Sequence, residues 1–222
     1  MASMATVAII GTCGRTGGDK LSPTIFNWMY EAARTTITSR FGLSPTNVQV
    51  VSGGAAWADH VAVRLFLDDY VPALTLHLPV ALEETAFATN DTWSFKTNPG
   101  YSANKYHKSF TDAMGVDTIA ELHAAIDKGA ETHVYKGFHA RNRVVSKAEY
   151  MIAFTWGEGN VPAKGGTAHT WGLSISSSKV HIPLASLPFK RKAERVEQGP
   201  VTKKQRLLSG YFTTDSKSGS PN

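Results

Sequence analysis

The feature that most constrains the fold is a regular alternation of short apolar runs with longer amphipathic stretches. Five apolar runs have the length and β-branched composition of buried strands: residues 7–11, 48–51, 74–78, 150–154 and 179–182. Five other stretches are typical of helices: residues 23–40, 55–69, 117–128, 138–147 and a helix that starts near 167. Ser22 is placed to cap the first of these helices. Strands that alternate with helices predict an α/β fold, a Rossmann-like three-layer sandwich with a mostly parallel sheet.

Residues 80–116 interrupt this alternation. The Asn-Pro-Gly segment at 98–100 breaks any regular element, whereas Trp93 and Phe95 are too apolar for a free linker. We therefore predict a long structured insertion, a candidate lid over the binding site.

The end of apolar periodicity divides the chain in two. After Pro188, lysine, arginine, glutamine, serine and glycine take over, which predicts a folded domain over 1–187 and a disordered basic tail over 188–222. Between Lys190 and Arg206, seven basic residues face two acidic ones, a difference equal to the whole net charge of +5. The domain is therefore close to neutral, which argues against strong electrostatic binding of its surface to DNA phosphates.

Several classes of protein are disfavoured by the composition. No apolar run approaches the ~20 residues that a transmembrane helix needs. The single cysteine, Cys13, has no internal disulfide partner, which suits a reducing compartment, and we interpret it as structural. The eight histidines are scattered and lack cysteines at zinc spacing, so we predict neither a metal site nor a cofactor.

Three glycine-bearing loops follow predicted strands. Their candidate ligand-binding residues are Gly11, Thr12, Gly14 and Arg15; then Ser52, Gly53, Gly54 and Asp59; then Gly165, Gly166 and Thr167. The carboxyl ends of parallel strands meet at one edge of the sheet, where helix N-termini offer free N–H groups and partial positive charge. Glycine lets the backbone approach a phosphate or ribose closely. One such loop is equally well explained by packing, but three at one edge predict a site for a nucleotide-type ligand.

Individual side chains in this set have alternative roles. Arg15 and Arg141 are candidate phosphate clamps because a guanidinium fork matches phosphate oxygens, although Arg15 is also explained as a surface residue. Asp59 either accepts a hydrogen bond from a ribose hydroxyl or organises the glycine loop before it. Asn142 either bonds a base or caps its helix, and Thr167 either caps its helix or contacts phosphate.

Together these motifs resemble the SLOG superfamily. The resemblance rests on Gly-Thr-Cys-Gly-Arg at 11–15, Ser-Gly-Gly-Ala-x-x-Ala-Asp at 52–59, Arg-Asn at 141–142, and Ala-Phe-Thr-Trp-Gly at 153–157 followed by Gly-Thr at 166–167. They occur in the family's order, and the chain is most similar to the YspA-like branch, relatives of the DprA and LOG proteins. The resemblance implies a Rossmann-like fold with a pocket for nucleotides or nucleotide-derived ligands. Related folds often form dimers, so a homodimer is compatible with the resemblance, although the sequence leaves the oligomeric state open.

The sequence leaves turnover of the ligand open. The LOG branch splits nucleotides between base and ribose phosphate, and its pattern places a catalytic glutamate two residues after the threonine of the Gly-Thr motif. This chain has His169 there, so the carboxylate expected to stabilise cationic character at the sugar is missing. We favour binding without turnover. The alternatives are a LOG-like nucleotide N-glycosidase or phosphoribohydrolase and a DprA-like DNA-binding protein.

The tail carries two basic clusters separated by ten residues, which resemble a bipartite nuclear localisation signal read by a nuclear import receptor. The clusters consist of Lys190, Arg191 and Lys192, and of Lys203, Lys204 and Arg206. A generic solvated charge run is the alternative. We predict a nuclear protein.

The second basic cluster overlaps a motif that binds the DNA sliding clamp. Gln205, Leu208, Tyr211 and Phe212 match the PIP box of proteins that bind proliferating cell nuclear antigen (PCNA). One helical turn places Leu208, Tyr211 and Phe212 on one side as an apolar plug. The tail therefore predicts a role near DNA replication or repair.

A peptide covering residues 203–214 is expected to bind PCNA, with an affinity measurable by isothermal titration calorimetry. Replacing both aromatic residues (Tyr211→Ala with Phe212→Ala) should abolish binding, because two of the three apolar side chains that form the plug are removed. Thr213→Ala with Thr214→Ala, just beyond the motif, is the matched control. Undiminished affinity after the aromatic double substitution would refute the clamp assignment.

Overall fold

The computed structural model describes residues 3–92, 94 and 97–186. Its principal elements are, in chain order, β1 (Ala5–Gly11), α1 (Pro23–Thr35), β2 (Val48–Ser52), α2 (His60–Leu67), β3 (Ala73–Leu78), α3 (Pro99–Met114), α4 (Thr118–Asp127), β4 (Glu131–Val134), α5 (Phe138–Val145), β5 (Tyr150–Thr155), α6 (Gly165–Leu173) and β6 (Ser178–Pro183). The strands and helices alternate as predicted, and the α/β fold class is confirmed.

The described strands form one sheet of six parallel strands in the order β4-β3-β2-β1-β5-β6. The chain builds the sheet outward from β1 to β4 and then returns to place β5 on the other side of β1. The connections that leave β1 and β5 therefore diverge at the carboxyl edge. A crevice opens at such a switch point, where open α/β sheets usually bind ligands.

Helices cover both faces of the sheet, which produces the three predicted layers. In β1, Val7 and Ile9 face a large core shared with α1, α2 and α4. Ala8 and Ile10 face a smaller core that includes Val145 of α5. Because successive side chains of a strand point to opposite faces of the sheet, β1 contributes apolar side chains to both cores. None of the helices in the described residues is long and apolar enough to cross a membrane.

The N-terminus of α1 forms as expected, whereas its end is different. The Oγ atom of Ser22 accepts a hydrogen bond from the Ile25 N–H at 3.4 Å, which confirms the cap. The helical stretch predicted over 23–40 ends as a π-helical segment, Thr36–Arg40. There the Oγ1 atom of Thr36 donates to the Ala32 carbonyl at 2.7 Å.

The expectation that residues 98–100 break regular structure was wrong, because these residues begin α3. The Oδ1 atom of Asn98 accepts from the Tyr101 N–H at 3.0 Å and caps the helix. Pro99 occupies the first turn, where an N–H group has no partner within the helix, so the missing N–H of proline costs no hydrogen bond. Gly115 ends the helix with a left-handed φ of 71°. The same polar and cyclic residues that interrupt a helix interior are therefore favourable at its start.

Strand β4, at one edge of the sheet, was missed by the sequence analysis because Val134 is the one apolar residue of its four. Among the described residues it pairs with β3 alone, from Thr75 opposite Glu131 to Leu78 opposite Val134. Val134 is 56% exposed, and the other side chains of the strand are polar. An edge strand needs no continuous apolar run. The tail with its localisation and clamp motifs lies outside the described residues.

A buried histidine fastens α3 to the rest of the domain. His107 donates from Nε2 to the Gly54 carbonyl at 3.0 Å and accepts at Nδ1 from the Thr118 hydroxyl at 2.9 Å. Burial lowers the pKa of His107 to about 3, so the ring is neutral. The insertion therefore packs as a wall against the glycine loop after β2.

Acid should destabilise the protein through His107. An unfolded histidine titrates near 6.5, whereas the folded pKa is about 3, so only the unfolded chain takes up this proton between those values. The stability contribution is complete above about pH 6.5 and is lost as the pH falls, by about 2 kcal/mol at pH 5. Urea unfolding at about pH 7 and about pH 5 measures this loss.

His107→Gln should lose about 2 kcal/mol less than the wild type over that interval. His123→Gln, which replaces a partly exposed histidine on α4, is the control and should behave like the wild type. Equal losses in His107→Gln and the wild type would contradict the prediction.

Candidate functional site

A cavity of about 500 Å³ opens at the carboxyl edge of the sheet, at the switch point between β1 and β5. Its walls come from the loops after β1, β2, β3 and β5, the first turns of α5 and α6, and one face of α3. Most of the residues predicted to bind a ligand line it: Gly11, Thr12, Arg15, Gly53, Gly54, Asp59, Arg141, Asn142, Gly165, Gly166 and Thr167. The sheet topology thus brings the three glycine loops to one place.

The remaining two predicted residues support the site from outside the cavity. The hydroxyl of Ser52 donates to the Asp59 carbonyl at 2.9 Å and accepts from the Gly54 N–H at 3.1 Å. Ser52 is fully buried and therefore shapes the loop after β2. Gly14 lies against the Trp57 indole with a φ of 96°.

The close approach of β1 and β5 requires glycine at position 11. A Cβ atom there would lie 2.2 Å from the Phe154 carbonyl oxygen and 2.6 Å from the Ala58 Cβ. The adjacent Thr12 N–H donates to the same carbonyl at 2.9 Å. The end of β1 is therefore held against both β5 and the segment that leads into α2.

A buried ion pair joins the first two loops to α5. The Oδ1 atom of Asp59 accepts from the Gly11 N–H, and Oδ2 accepts from Nη1 of Arg141, both at 3.2 Å. The side chains of Asp59 and Arg141 are 5% and 9% exposed. The pKa of Asp59 is raised above its usual value by burial. Arg141 and the neighbouring N–H groups lower this pKa, but their effect is smaller than that of burial. These contacts favour the second of the two roles considered for Asp59, organisation of the loops.

Arg141 occupies a space that only glycine leaves open. A Cβ atom on Gly53 would lie 1.6 Å from Nη1 of Arg141, so the guanidinium packs directly on the Gly53 backbone. Cζ of Arg141 also lies 5.8 Å from the centre of the Phe138 ring. Nη1 is engaged by Asp59, while Nε has no hydrogen-bond partner within the described residues. Nε is therefore a buried donor that the described residues leave unsatisfied, which has a cost in free energy.

The first turn of α6 faces the same cavity. Its N-cap residue, Lys164, makes no capping hydrogen bond with its side chain, and no acidic residue occupies the first turn. The hydroxyl of Thr167 donates to the Gly11 carbonyl at 2.9 Å, so this residue ties α6 to β1 and does not cap the helix. The N–H groups of this turn and the helix dipole are arranged to receive an anion.

Asn142 lies in the middle of α5 and does not cap it. Its Nδ2 atom is 3.5 Å from Nδ1 of His169. His169 itself is not part of the cavity wall, and its ring packs edge-on against His139 at 4.9 Å. Among the described residues of the wall, Asp59 is the one carboxylate.

Several residues of the wall were missed by the sequence analysis. Trp156 lies within the motif at 153–157, and Phe138 lies three residues before the motif at 141–142, so their closeness to the motifs could have indicated a place in the wall. Tyr106 gave none, because it lies in the insertion. Arg15 lines the cavity while remaining exposed, and with Arg141 it brings positive charge to the wall.

Cys13 is the one thiol among the described residues of the cavity wall. Cys13 lines the cavity, and burial raises the pKa of its thiol, which favours the protonated and less nucleophilic form. No cluster of three or more histidine, cysteine, aspartate or glutamate side chains suited to a metal ion occurs within residues 3–92, 94 and 97–186.

Gly53→Ala should displace the Arg141 guanidinium and separate it from Asp59. Breaking a buried pair costs about 3–5 kcal/mol, which urea unfolding measures. Gly172→Ala is the matched control, because a Cβ at that exposed helical position has open space and should add up to about 1 kcal/mol. Equal stability of Gly53→Ala and the wild type would show that the pair does not need this close packing.

Comparison with known proteins places the chain beside a viral relative. No protein-family model matches it. The uncharacterized protein R261 of Acanthamoeba polyphaga mimivirus is 31% identical to it over 183 residues, which cover 81% of this chain and 96% of the viral protein. At this identity and coverage, the chain belongs to the same protein family as R261.

Proposed function

We propose that the domain binds a nucleotide or nucleotide derivative in the cavity, without turning it over. The observation that carries the proposal is that the glycine loops after β1 and β2, the Gly165-Gly166-Thr167 first turn of α6, and Arg141 converge on one cavity. Glycine backbone, an arginine fork and a helix N-terminus are the groups that recognise phosphate.

The charges of the wall support an anionic ligand. Arg15, Arg141 and Lys164 line the cavity together with one carboxylate, Asp59, which is already engaged by Arg141. Three cationic side chains and one carboxylate among the described residues of the wall favour an anion, and attraction in a partly enclosed space is stronger because the local dielectric constant is lower than that of water. A phosphate on the first turn of α6 would complete these contacts.

The size and chemistry of the cavity support a small molecule. About 500 Å³ lies within the usual range for ligand pockets, roughly 300–1,000 Å³. Aromatic side chains of Tyr106, Phe138 and Trp156 contribute to the wall beside the polar groups. A ligand with a planar ring and a phosphate matches this combination.

Binding without turnover is favoured by the position of the side chains that a glycosidase would need. His169 lies outside the cavity wall. Asp59 accepts hydrogen bonds from Gly11 and Arg141, so its carboxylate is committed to structure. Hydrolysis of a glycosidic bond generally uses a pair of carboxyl groups.

Direct DNA binding by the domain is disfavoured by its charge. Basic and acidic residues are equal in number over 1–187, and the excess lies in the tail. In our proposal the tail supplies the DNA-related function indirectly, through nuclear import and the sliding clamp. The domain would thereby act as a clamp-tethered nucleotide-binding module near replication or repair.

Thermal unfolding of the full chain tests the proposal with three classes of compound: nucleoside 5′-monophosphates, ribose 5-phosphate and unphosphorylated nucleosides. Phosphorylated compounds should raise the unfolding midpoint, since ligand at 100 times its Kd stabilises the folded state by about 2.7 kcal/mol. Nucleosides should have a much smaller effect. If no phosphorylated compound in the panel changes the midpoint, the proposal fails.

Two arginine variants connect this effect to the cavity. Arg141→Gln should abolish the shift, whereas Arg143→Gln, an exposed position on the same helix, should retain it. Because Arg141→Gln also removes the partner of Asp59, Arg15→Gln provides a second variant. It should weaken the response to phosphorylated compounds, and because Arg15 is exposed it should change the midpoint of the unliganded protein less than Arg141→Gln does.

A further inference from the structure

We infer that α3 forms the base-binding wall of the cavity, with Tyr106 as the residue that determines preference for a nucleotide over a sugar phosphate. The inference rests on the proposed function and deepens it, because it assigns recognition of the base to the insertion. Neither the glycine motifs nor the arginines distinguish these two classes of ligand, since both carry the phosphate.

Tyr106 packs against the large core with part of its side chain and lines the cavity with another part. Phe138 lies beside the guanidinium of Arg141. Trp156 packs on Gly17, where a Cβ would lie 2.7 Å from the indole Nε1, and Lys20 Nζ lies 5.7 Å from its ring. Within the described residues, Tyr106 has neither a ring nor a cation stacked on it.

The hydroxyl of Tyr106 is also available. Its Oη atom makes no hydrogen bond with any described residue, although the side chain is only partly exposed. Burial raises the pKa of the phenol, so the group remains a neutral donor. A partly buried tyrosine hydroxyl usually finds a partner, and the edge of a base offers both donors and acceptors.

The surface of α3 around Tyr106 suits a planar ring. Ala103 lies one helical turn before Tyr106 and also lines the cavity. A methyl group on the same helical face obstructs access to the phenol ring less than a larger side chain would. His107, the next residue, is hydrogen-bonded to the Gly54 carbonyl at 3.0 Å, so this helical turn is held rigidly against the cavity.

Tyr106 and the first turn of α6 lie around the same cavity. Tyr106 and Ala103 belong to α3, whereas Gly165, Gly166 and Thr167 belong to α6, and all of them line this space of about 500 Å³. The hydroxyl of Thr167 donates to the Gly11 carbonyl, so α6 is joined to the end of β1, which also lines the cavity. A nucleotide with its phosphate at α6 and its base at Tyr106 would therefore occupy this one cavity.

Calorimetric titration of the full chain with AMP, GMP, CMP, UMP and ribose 5-phosphate tests the inference. At least one nucleotide should bind about tenfold more tightly than ribose 5-phosphate, as stacking of a base on an aromatic ring predicts. Tyr106→Ala should reduce this preference to about twofold or less by weakening nucleotide binding alone. Tyr106→Phe should retain most of the preference, because the ring remains.

Tyr101→Ala is the matched control, since Tyr101 lies on the same helix, is 37% exposed and is not part of the wall. It should retain the wild-type preference. If wild-type protein binds ribose 5-phosphate as tightly as every nucleotide, the inference fails while the proposed function stands. A Tyr106→Ala variant that weakens both classes equally also overturns it. If none of the five compounds binds, the proposed function fails as well.

Discussion

The buried pair between Asp59 and Arg141 is the interaction on which the candidate site depends. Asp59 holds the N–H of Gly11 at the end of β1, and Arg141 crosses from α5 to lie on Gly53 after β2. Three segments that are distant in sequence therefore share one electrostatic centre. Desolvation of two charges offsets most of their attraction, so such a pair contributes little net stability. Its consequence is geometric, because it holds backbone amides and a guanidinium in fixed positions around the cavity.

The cavity combines two structural sources. The glycine loops and the first turn of α6 belong to the carboxyl edge of a parallel sheet, where the divergence of the connections after β1 and β5 leaves space. The wall that includes Tyr106 comes from α3, which lies between β3 and β4 in the chain. The hydrogen bond from His107 to Gly54 joins these two parts. In our proposal the sheet edge binds phosphate, which many nucleotides share, and α3 distinguishes what is attached to it.

The sequence analysis succeeded where a local pattern reports burial and failed where position in the fold matters more. β1, β2, β3, β5 and β6 were recognised because their apolar runs mark buried strands. β4 was missed since Val134 is the one apolar residue of its four, and α3 was missed because Asn98, Pro99 and Gly100 were interpreted as breakers of a helix when they begin one. Ser52 and Gly14 were grouped with the ligand contacts, since adjacency in sequence does not reveal which side of a loop faces a cavity.

What the sequence alone determined is the α/β fold class, the glycine loops at strand ends and the near-neutral charge of the domain. These properties depend on composition and on periodicities of 2 and 3.6 residues, which are local. Only the tertiary structure decided that Asp59 pairs with Arg141, that His169 lies outside the cavity wall and that Tyr106 lies within it. Those contacts join residues far apart in the chain. They depend on strand order and on how helices pack across the sheet, which no short stretch of sequence specifies.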